Sequence, residues 1–556
     1  MTSVPLGLDT PELRKARGAF FTPTEVCRHL ADWAIRTPQD AVLEPSCGEA
    51  AFLLAAAERM SSLGPGPGLL HGVDVHPASA LAARSILAGT GHPTQIEVAD
   101  FFTLPPRPTF DAVIGNPPFV RYQEFTGAAR SLSRAAALQA GVNLTRLASS
   151  WAAFTVHSAL FLKPGGRLAL VLPAELLSVN YAAEVRRFLI RRFARVRLVL
   201  FTERIFPGVQ EEVVLLLAEG SGGTNQFELQ QVQDVAELRG RTGQGFSRWH
   251  PGTDDVKWTS ALLPEPARNV MSELTRHPDA ATLQAWGKTT LGAVTGNNGY
   301  FAMSPEQVVV AGLDPERDLV RLSPPGSRHL RGLSFSDPDW TALGAQGRAT
   351  WLFRPAEEPS AAGREYIAAG ERLGVPTAYK CRIRDPWWRV PLVPSADLLL
   401  TCMNADTPRI CANQAGVRHL NSVHGIYLAA GLQRLGTDLL PLACLNSFTL
   451  LGAETVGRAY GGGLLKIEPR EADRLPVPSP SLVESLSAEL VSVRPGVERA
   501  LADGQLLTAV TLVDDVLLGP GLGLTRAEVT TIRSARELLA GRRTARAAPP
   551  KPDTLP

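Results

Sequence analysis

The sequence runs to 556 residues, too long for one ordinary core and enough for two or three domains of roughly 100–250 residues each. With 45% hydrophobic and 20% charged residues it excludes a disordered chain, and no apolar run reaches the roughly 18 residues of a membrane span. A net charge of +2 selects no partner, because a balanced total can hide a basic face. The opening MTSVPLGLDTPELRKARG lacks the basic-then-apolar order of a secretory signal, which predicts a cytoplasmic protein. Six scattered cysteines with no CxxC pair predict reduced thiols and neither structural zinc nor a disulfide framework.

Up to residue 225, short apolar runs alternate with amphipathic segments, the pattern of a parallel sheet covered by helices. The strands are expected at Ala41–Leu43, Leu70–Asp74, Ile96–Val98, Ala112–Ile114, Arg167–Leu172, Val196–Phe201 and Val213–Ala218. Helices are expected at Ala50–Met60, Ala78–Leu87, Ala152–Leu162 and Ala182–Phe193, where apolar residues recur at helical spacing. The fold class is therefore α/β, Rossmann-like and doubly wound, with ligands at the carboxyl ends of the strands. After GSGGT (Gly220–Thr224), residues 226–284 read as a connecting segment. Shorter elements with clustered Trp and Arg predict a mixed α+β domain over 285–480, then helices over 481–545 and a basic, Pro-rich, disordered tail over 546–556.

The strongest local signal is FDAVIGNPPF (Phe110–Phe119), an apolar strand running into Asn116-Pro117-Pro118-Phe119. Two prolines hold the backbone extended and cannot donate hydrogen bonds, so their carbonyls face outward as fixed acceptors. The Asn116 amide oxygen adds an acceptor and Phe119 a flat apolar face. A planar amine is a poor nucleophile until two acceptors take its hydrogens, and this loop has the groups to do so. Taken alone, Asn-Pro-Pro is also ordinary turn chemistry.

Three further strand ends carry carboxylates. VLEPSCGEAAFL (Val42–Leu53) places Glu44, Pro45, Ser46 and Gly48 at a sharp strand-to-helix turn, where Gly48 lets the backbone approach a ligand. The absence of GxGxxG there speaks against a dinucleotide oxidoreductase. Asp74 in HGVDVHP lies where an acidic residue grips ribose hydroxyls. Asp100 in ADFF can accept from an adenine amino group while a neighbouring Phe covers the ring. Each carboxylate alone also reads as a solvated loop residue; their ordered succession is harder to dismiss. His71, His76 and His157 read as structural or surface residues.

EPSCGEAAFL, GVDVHP, ADFF and GNPPF, in this order, resemble the motifs of N6-adenine DNA methyltransferases of bacterial restriction–modification systems, in their TaqI-type or gamma branch. GAFFTP (Gly18–Pro23), WAAFTVHSALFLKPGGRLALVLPAELL and RIFPGVQEEVVLLLA extend the resemblance over residues 18–220. It implies S-adenosylmethionine as cofactor, with Thr22, Pro23, Glu44, Pro45, Ser46, Gly48, Asp74, Asp100, Phe101 and Phe154 around it. It also implies that Asn116 and Pro117, in a loop with Pro118, accept from the target N6 while Phe119 and Phe206 sandwich a flipped-out base. The family commonly has Tyr at the position of Phe119; stacking survives and a hydroxyl is lost. No metal is implied.

In the second domain YKCRIRDPWWR (Tyr379–Arg389) interleaves Lys380, Arg382, Arg384 and Arg389 with aromatics, a composition suited to phosphates or guanine edges. It reads equally as a tryptophan core under a solvated arginine face. TGNNGY (Thr295–Tyr300) and YGGGLLK (Tyr460–Lys466) are further candidates for reading DNA, the latter resembling a segment of target-recognition domains. Double-stranded DNA is the expected partner of a monomeric chain, a cognate restriction endonuclease stays open as a second, and no membrane is expected. Methylation of RNA or of a protein glutamine, or a bifunctional enzyme that also cuts DNA, are the competing readings.

Overall fold

A computed structural model describes residues 22–120, 124, 127–201, 205, 212–238, 245–251 and 257–545. The chain forms two compact units, divided between Leu262 and Leu263.

The first unit is built on a nine-stranded sheet: β1 (Val42–Glu44), β2 (Leu70–Asp74), β3 (Thr94–Val98), β4 (Phe110–Gly115), β5 (Leu162–Pro173), β6 (Arg195–Phe201), β7 (Val213–Glu219), β8 (Phe227–Val232) and β9 (Ser247–Trp249). The spatial order is β3-β2-β1-β4-β5-β7-β6-β8-β9. From β3 to β5 every neighbour is parallel, with Val42 opposite both Leu70 and Ala112. Winding runs outward in opposite directions from β1 and from β4, so the crevice between their carboxyl ends is the ligand position of a doubly wound sheet. The all-parallel expectation fails at β7, which lies antiparallel between β5 and β6. The reason is the short link from β6: eleven residues from Phe201 to Val213 suit a hairpin return, and a parallel crossover needs a dozen or more plus a helix's bulk.

Helices cover both faces: α1 (Thr24–Ala34), α2 (Ala51–Leu63), α3 (Pro77–Leu87), α4 (Gly127–Leu138), α5 (Ser150–Ala159), the short α6 (Glu175–Ser178) and α7 (Ala183–Arg192). Alternation along β5 makes the two cores. Leu168, Leu170 and Leu172 enter one apolar cluster with Trp151 and Phe154, while Ala169 and Val171 enter the other with Leu30 and Leu53. Asp40, just before β1, and Arg167 on β5 form a buried ion pair at 2.8 Å, and Asp40 also accepts from the Arg36 N–H. These bonds satisfy charges that burial would otherwise leave exposed to a heavy desolvation cost.

The segment expected as a connector is divided between the units instead. β8 pairs parallel with β6 and β9 antiparallel with β8; Phe227 and Leu229 of FELQQV enter one apolar cluster and Val232 the other, so the strand is covered on both faces. The helix Glu265–Leu274 belongs to the second unit.

In the second unit β10 (Ala280–Thr282) pairs with β21 (Pro476–Pro478). Between these come β11 (Gly287–Leu291), β12 (Ala302–Met303), β13 (Leu319–Arg321), β14 (Trp351–Phe353), β15 (Leu398–Thr401), β16 (Met403–Asn404), β17 (Ile410–Ala412), β18 (Val423–Leu428), β19 (Arg458–Tyr460) and β20 (Leu464–Lys466). They form a four-stranded antiparallel sheet, β11-β18-β15-β17, and two three-stranded ones, β12-β14-β13 and β16-β20-β19. The helices expected over 481–545 are Pro480–Ser485, Ser487–Ala502, Leu506–Val516 and Arg526–Ala545, all within this unit. Among the described residues no single helix is long and apolar enough to cross a membrane.

Candidate functional site

The carboxyl ends of β1, β2 and β4 meet where the winding reverses, and each carries a polar group. Glu44 ends β1 and is 2% exposed. Its neighbour across the crevice is Gly115 at the end of β4, where a Cβ would stand 3.4 Å from Glu44 Cγ. That is ordinary contact distance; what favours glycine there is its φ of +153, a backbone conformation that side-chain-bearing residues rarely adopt. Burial pushes the Glu44 carboxyl well above the usual range, with Asp74 adding to the rise and the Leu53 N–H opposing it. Its Oε2 is buried without a hydrogen-bond partner, as is Ser46 Oγ.

The turn after β1 is held by β2. Asp74 accepts from the Gly48 N–H at 2.9 Å and from the His76 N–H at 2.8 Å, one to each oxygen. Gly48 has φ +49, a conformation that disfavours any side chain, and a Cβ there would meet no atom within 4 Å. Ala50 follows with φ 68 and opens α2. The turn thus exposes backbone at a helix start, facing open space.

Asn116 continues β4. Its Nδ2 donates to Thr22 Oγ1 at 3.1 Å, while its Oδ1 is buried and has no partner. The amide is thereby oriented: the donor end is engaged and the acceptor end is left for something else. The sequence reading placed Thr22 only beside a cofactor; its contact with Asn116 had no local signal, the two being 94 positions apart.

The rest of the loop is clamped by a residue that sequence reasoning missed. Ser150 Oγ donates to the Pro118 carbonyl and accepts from the Val120 N–H at 2.9 Å, and the Ser150 N–H donates to the Val120 carbonyl at 3.1 Å. Ser150 opens α5, and its neighbour Ser149 is hydrogen-bonded at 3.1 Å to the hydroxyl of Tyr181, whose one proton goes to Glu175 at 2.6 Å. Only the pair of serines ahead of WAAF hinted at this. Phe119 is half-buried and packs against both apolar clusters.

Asp100 caps the turn after β3 by accepting from the Phe102 N–H at 3.0 Å. Phe101, expected on the cofactor adenine, and Phe154, expected to close the pocket over it, stack on each other with centroids 5.6 Å apart and planes 12° apart. Phe101 is 2% exposed and is also enclosed by His157 and Phe161, so much of its surface is spent on the core. His157 sits inside this aromatic group, and burial lowers its pKa, in keeping with a structural role. Pro23 precedes α1. Phe206 and residues 18–21 lie outside the described residues.

In the second unit the basic–aromatic cluster divides. Arg384 donates to the Val294 carbonyl and is half-buried, so it serves its own fold. Trp387 packs on Tyr300 and Phe301, and Tyr300 stacks on Tyr366 at 4.7 Å, which places Tyr300 and the tryptophan at the core, while Gly296, Asn298 and Gly299 of TGNNGY stay exposed. Arg389 is also half-buried; Lys380 and Arg382 are exposed beside the exposed Tyr379. Among the described residues no group of three or more His, Cys, Asp or Glu is arranged to hold a metal ion.

Comparison with known proteins agrees with this division. Residues 7–226 match the family model described as N-6 DNA Methylase, and residues 255–518 match that of the C-terminal domain of Type II methyltransferase M.Eco57I. Type II methyltransferase M.XamI of Xanthomonas campestris pv. amaranthicola is 25% identical over 85% of this chain and 87% of its own. Type II methyltransferase M.AccI of Acinetobacter calcoaceticus is 20% identical over 83% and 85%. The Type IIL restriction-modification enzyme MmeI, solved in complex with DNA, has a similar fold, with a TM-score of 0.52 at 11% identity over 91% of this chain and 73% of its own. Both halves of the sequence are thus matched in order, which supports an N6 DNA methyltransferase of restriction–modification systems.

Proposed function

We propose that the enzyme methylates the exocyclic N6 of adenine in double-stranded DNA, with S-adenosylmethionine as donor, and that it belongs to the TaqI-type branch. The observation that carries this reading is Asn116: a buried, unpartnered amide oxygen at the mouth of the crevice, its other end tied to Thr22. An amino group delivered there gives one hydrogen to Asn116 Oδ1, and the backbone beside it at Pro117 offers the second acceptor. Both bonds draw the nitrogen lone pair out of conjugation. A base in duplex DNA must leave the stack to arrive, at a cost of a few kcal/mol. Stacking on Phe119, and on Phe206 from the opposite side, offsets that by roughly 1–3 kcal/mol per aromatic contact.

The residues present fit the cofactor. Glu44 Oε2 and Ser46 Oγ are buried polar atoms without partners, and the Gly48 turn opens onto space. Glu44 would hold the ammonium of the methionine part, with Thr22 and Pro23 alongside. Asp74 would hold the ribose with an oxygen that already anchors the turn, and Asp100 would hold the adenine with Phe101 and Phe154 behind it. The bound cofactor supplies a methyl activated on a sulfonium; the protein supplies alignment, a large share of the rate in such a transfer. A host's own DNA is the substrate, which places the enzyme in the cytoplasm, with a cognate endonuclease as the partner whose cutting it blocks. One chain carries both units, so a monomer suffices.

The test is to express the chain in a host lacking other adenine methylation and to map modified bases. N6-methyladenine at one sequence is expected, and Asn116→Ala should abolish it while S-adenosylhomocysteine affinity changes less than about twofold. Near-normal single turnover in the variant, or modification of cytosine, would remove the assignment.

A further inference from the structure

The second unit gathers four arginines from three distant stretches around one carboxylate. Asp406 lies between β16 and β17. Its Oδ1 accepts from Arg331 Nη1 at 3.0 Å and its Oδ2 from Arg409 Nη2 at 3.1 Å. Its carbonyl accepts from Arg543 Nη2 at 3.1 Å and Arg536 Nη2 at 3.5 Å, both from the helix Arg526–Ala545. Arg543 pairs with Glu454 at 2.9 Å, so four guanidiniums face two carboxylates.

The surplus cations are also underused. Arg409 is 6% exposed, and its Nε and Nη1 are buried with no hydrogen-bond partner; Arg536 Nε is buried in the same way. An arginine cannot shed its proton to escape burial, so idle buried donors call for an acceptor. Burial alone would raise the Asp406 carboxyl, yet Arg409, the Thr407 N–H and Arg331 together outweigh it and hold it below its usual range. Arg331 and Asp406 remain 41% and 38% exposed, so the cage is open on their side.

The neighbouring surface suits a nucleic acid. Arg543 donates to the Gly463 carbonyl in the glycine-rich turn of YGGGLLK, which ties that motif to the cage. Tyr460 beside the turn is 55% exposed, with the Lys466 ammonium 5.2 Å from its ring centroid. Arg409 cannot extend to a base edge, because its backbone N–H is fixed on Thr401 Oγ1 at 2.8 Å and its side chain is enclosed. A buried, rigid guanidinium fork receives an anion carried to it, and its planar donors match a tetrahedral oxyanion.

We propose that the arginine cage around Asp406 is a binding site for a phosphate of the DNA backbone, which anchors the second unit on the duplex without reading sequence. The proposal rests on the reading of double-stranded DNA as substrate. The full chain, with S-adenosylhomocysteine, is titrated at several salt concentrations against a duplex carrying its mapped methylation site and a scrambled duplex. Arg331→Gln and Arg536→Gln, combined, are expected to weaken both duplexes alike, about tenfold, and to flatten the salt slope by about one for each phosphate no longer neutralised. Arg331→Lys should retain most of the affinity, and S-adenosylhomocysteine affinity should not move. Unchanged affinity and slope overturn the cage, as does a weakening on the mapped site alone, which would make these arginines base readers. Inorganic phosphate that raises the melting temperature of the wild type, with DNA binding unaffected in the variants, overturns it in favour of a free-anion site. If the double variant is unfolded, Arg331→Gln alone, at a partly exposed side chain, decides on the same readings. A wild-type chain that neither binds nor methylates duplex DNA overturns the underlying reading as well.

Discussion

Glu44 is a carboxyl that burial weakens as an acid. Buried at the end of β1 with one oxygen unpartnered, it is driven towards the neutral form by desolvation and then by Asp74. A folded pKa above the unfolded value near ~4.3 fixes the sign of the linkage. The contribution to stability is fully present below that unfolded value and is lost as pH rises through the folded one. Glu44→Gln stays neutral throughout, so in the cofactor-free chain it should melt above the wild type at about pH 8, with the gap closing towards about pH 5. S-adenosylhomocysteine should reverse the order, since its ammonium gives the ionised carboxylate a partner. Melting curves across pH with and without this ligand check both halves, and a gap constant in pH would show that Glu44 does not titrate in this interval.

At the scale of elements, function depends on what holds the NPPF loop between β4 and α5. Ser150 ties the Pro118 carbonyl and the Val120 N–H to the first turn of α5, and its own N–H returns to the Val120 carbonyl. Ser150→Ala would leave buried groups unsatisfied at about 1–3 kcal/mol. Because the loop positions the acceptors and not the cofactor, single-turnover methylation should fall by an order of magnitude or more while S-adenosylhomocysteine affinity holds; equal losses in both would mean that Ser150 only supports the fold. The ends of β1, β2 and β4 were legible in the sequence because each motif couples an apolar run to a polar stop, and a doubly wound sheet puts such stops at one edge. The Thr22–Asn116 bond and the Ser150 clamp were not, since both join segments at least 30 positions apart through single hydroxyls. α1 and α4 also escaped the reading. The arginine cage is the extreme case: its members at 331, 406, 409, 536 and 543 share no local pattern, whereas YKCRIRDPWWR, conspicuous as a string, spends Arg384 and Trp387 on its own core.

For the whole molecule, the question is where the catalytic unit ends. GSGGT suggested a boundary near residue 225, but the sheet continues beyond it. Phe227, on β8, is wholly buried with its centroid 4.2 Å from that of Trp258 and 5.6 Å from that of Trp249. The Trp258 N–H donates to the Leu177 carbonyl at 2.7 Å, so this aromatic group is bonded to α6 in the midst of the unit. Ending the chain at 225 removes three large buried rings and leaves β6 as an unpaired edge. Each such ring is worth about 3–5 kcal/mol when truncated to Ala. Their loss together is comparable with the entire stability of an ordinary domain, about 5–15 kcal/mol. A chain of residues 1–225 should therefore fail to give a cooperative melt, whereas residues 1–262, which carry every residue assigned to the cofactor, should fold and bind S-adenosylhomocysteine with an affinity within about threefold of the full chain. The longer fragment should lose the preference for one sequence, because the second unit is gone. Thermal melts, calorimetry with S-adenosylhomocysteine and mapping of methylated bases separate these outcomes. A folded 1–225 fragment would return the boundary to the glycine-rich linker, and site-selective methylation by 1–262 would move sequence reading into the catalytic unit itself.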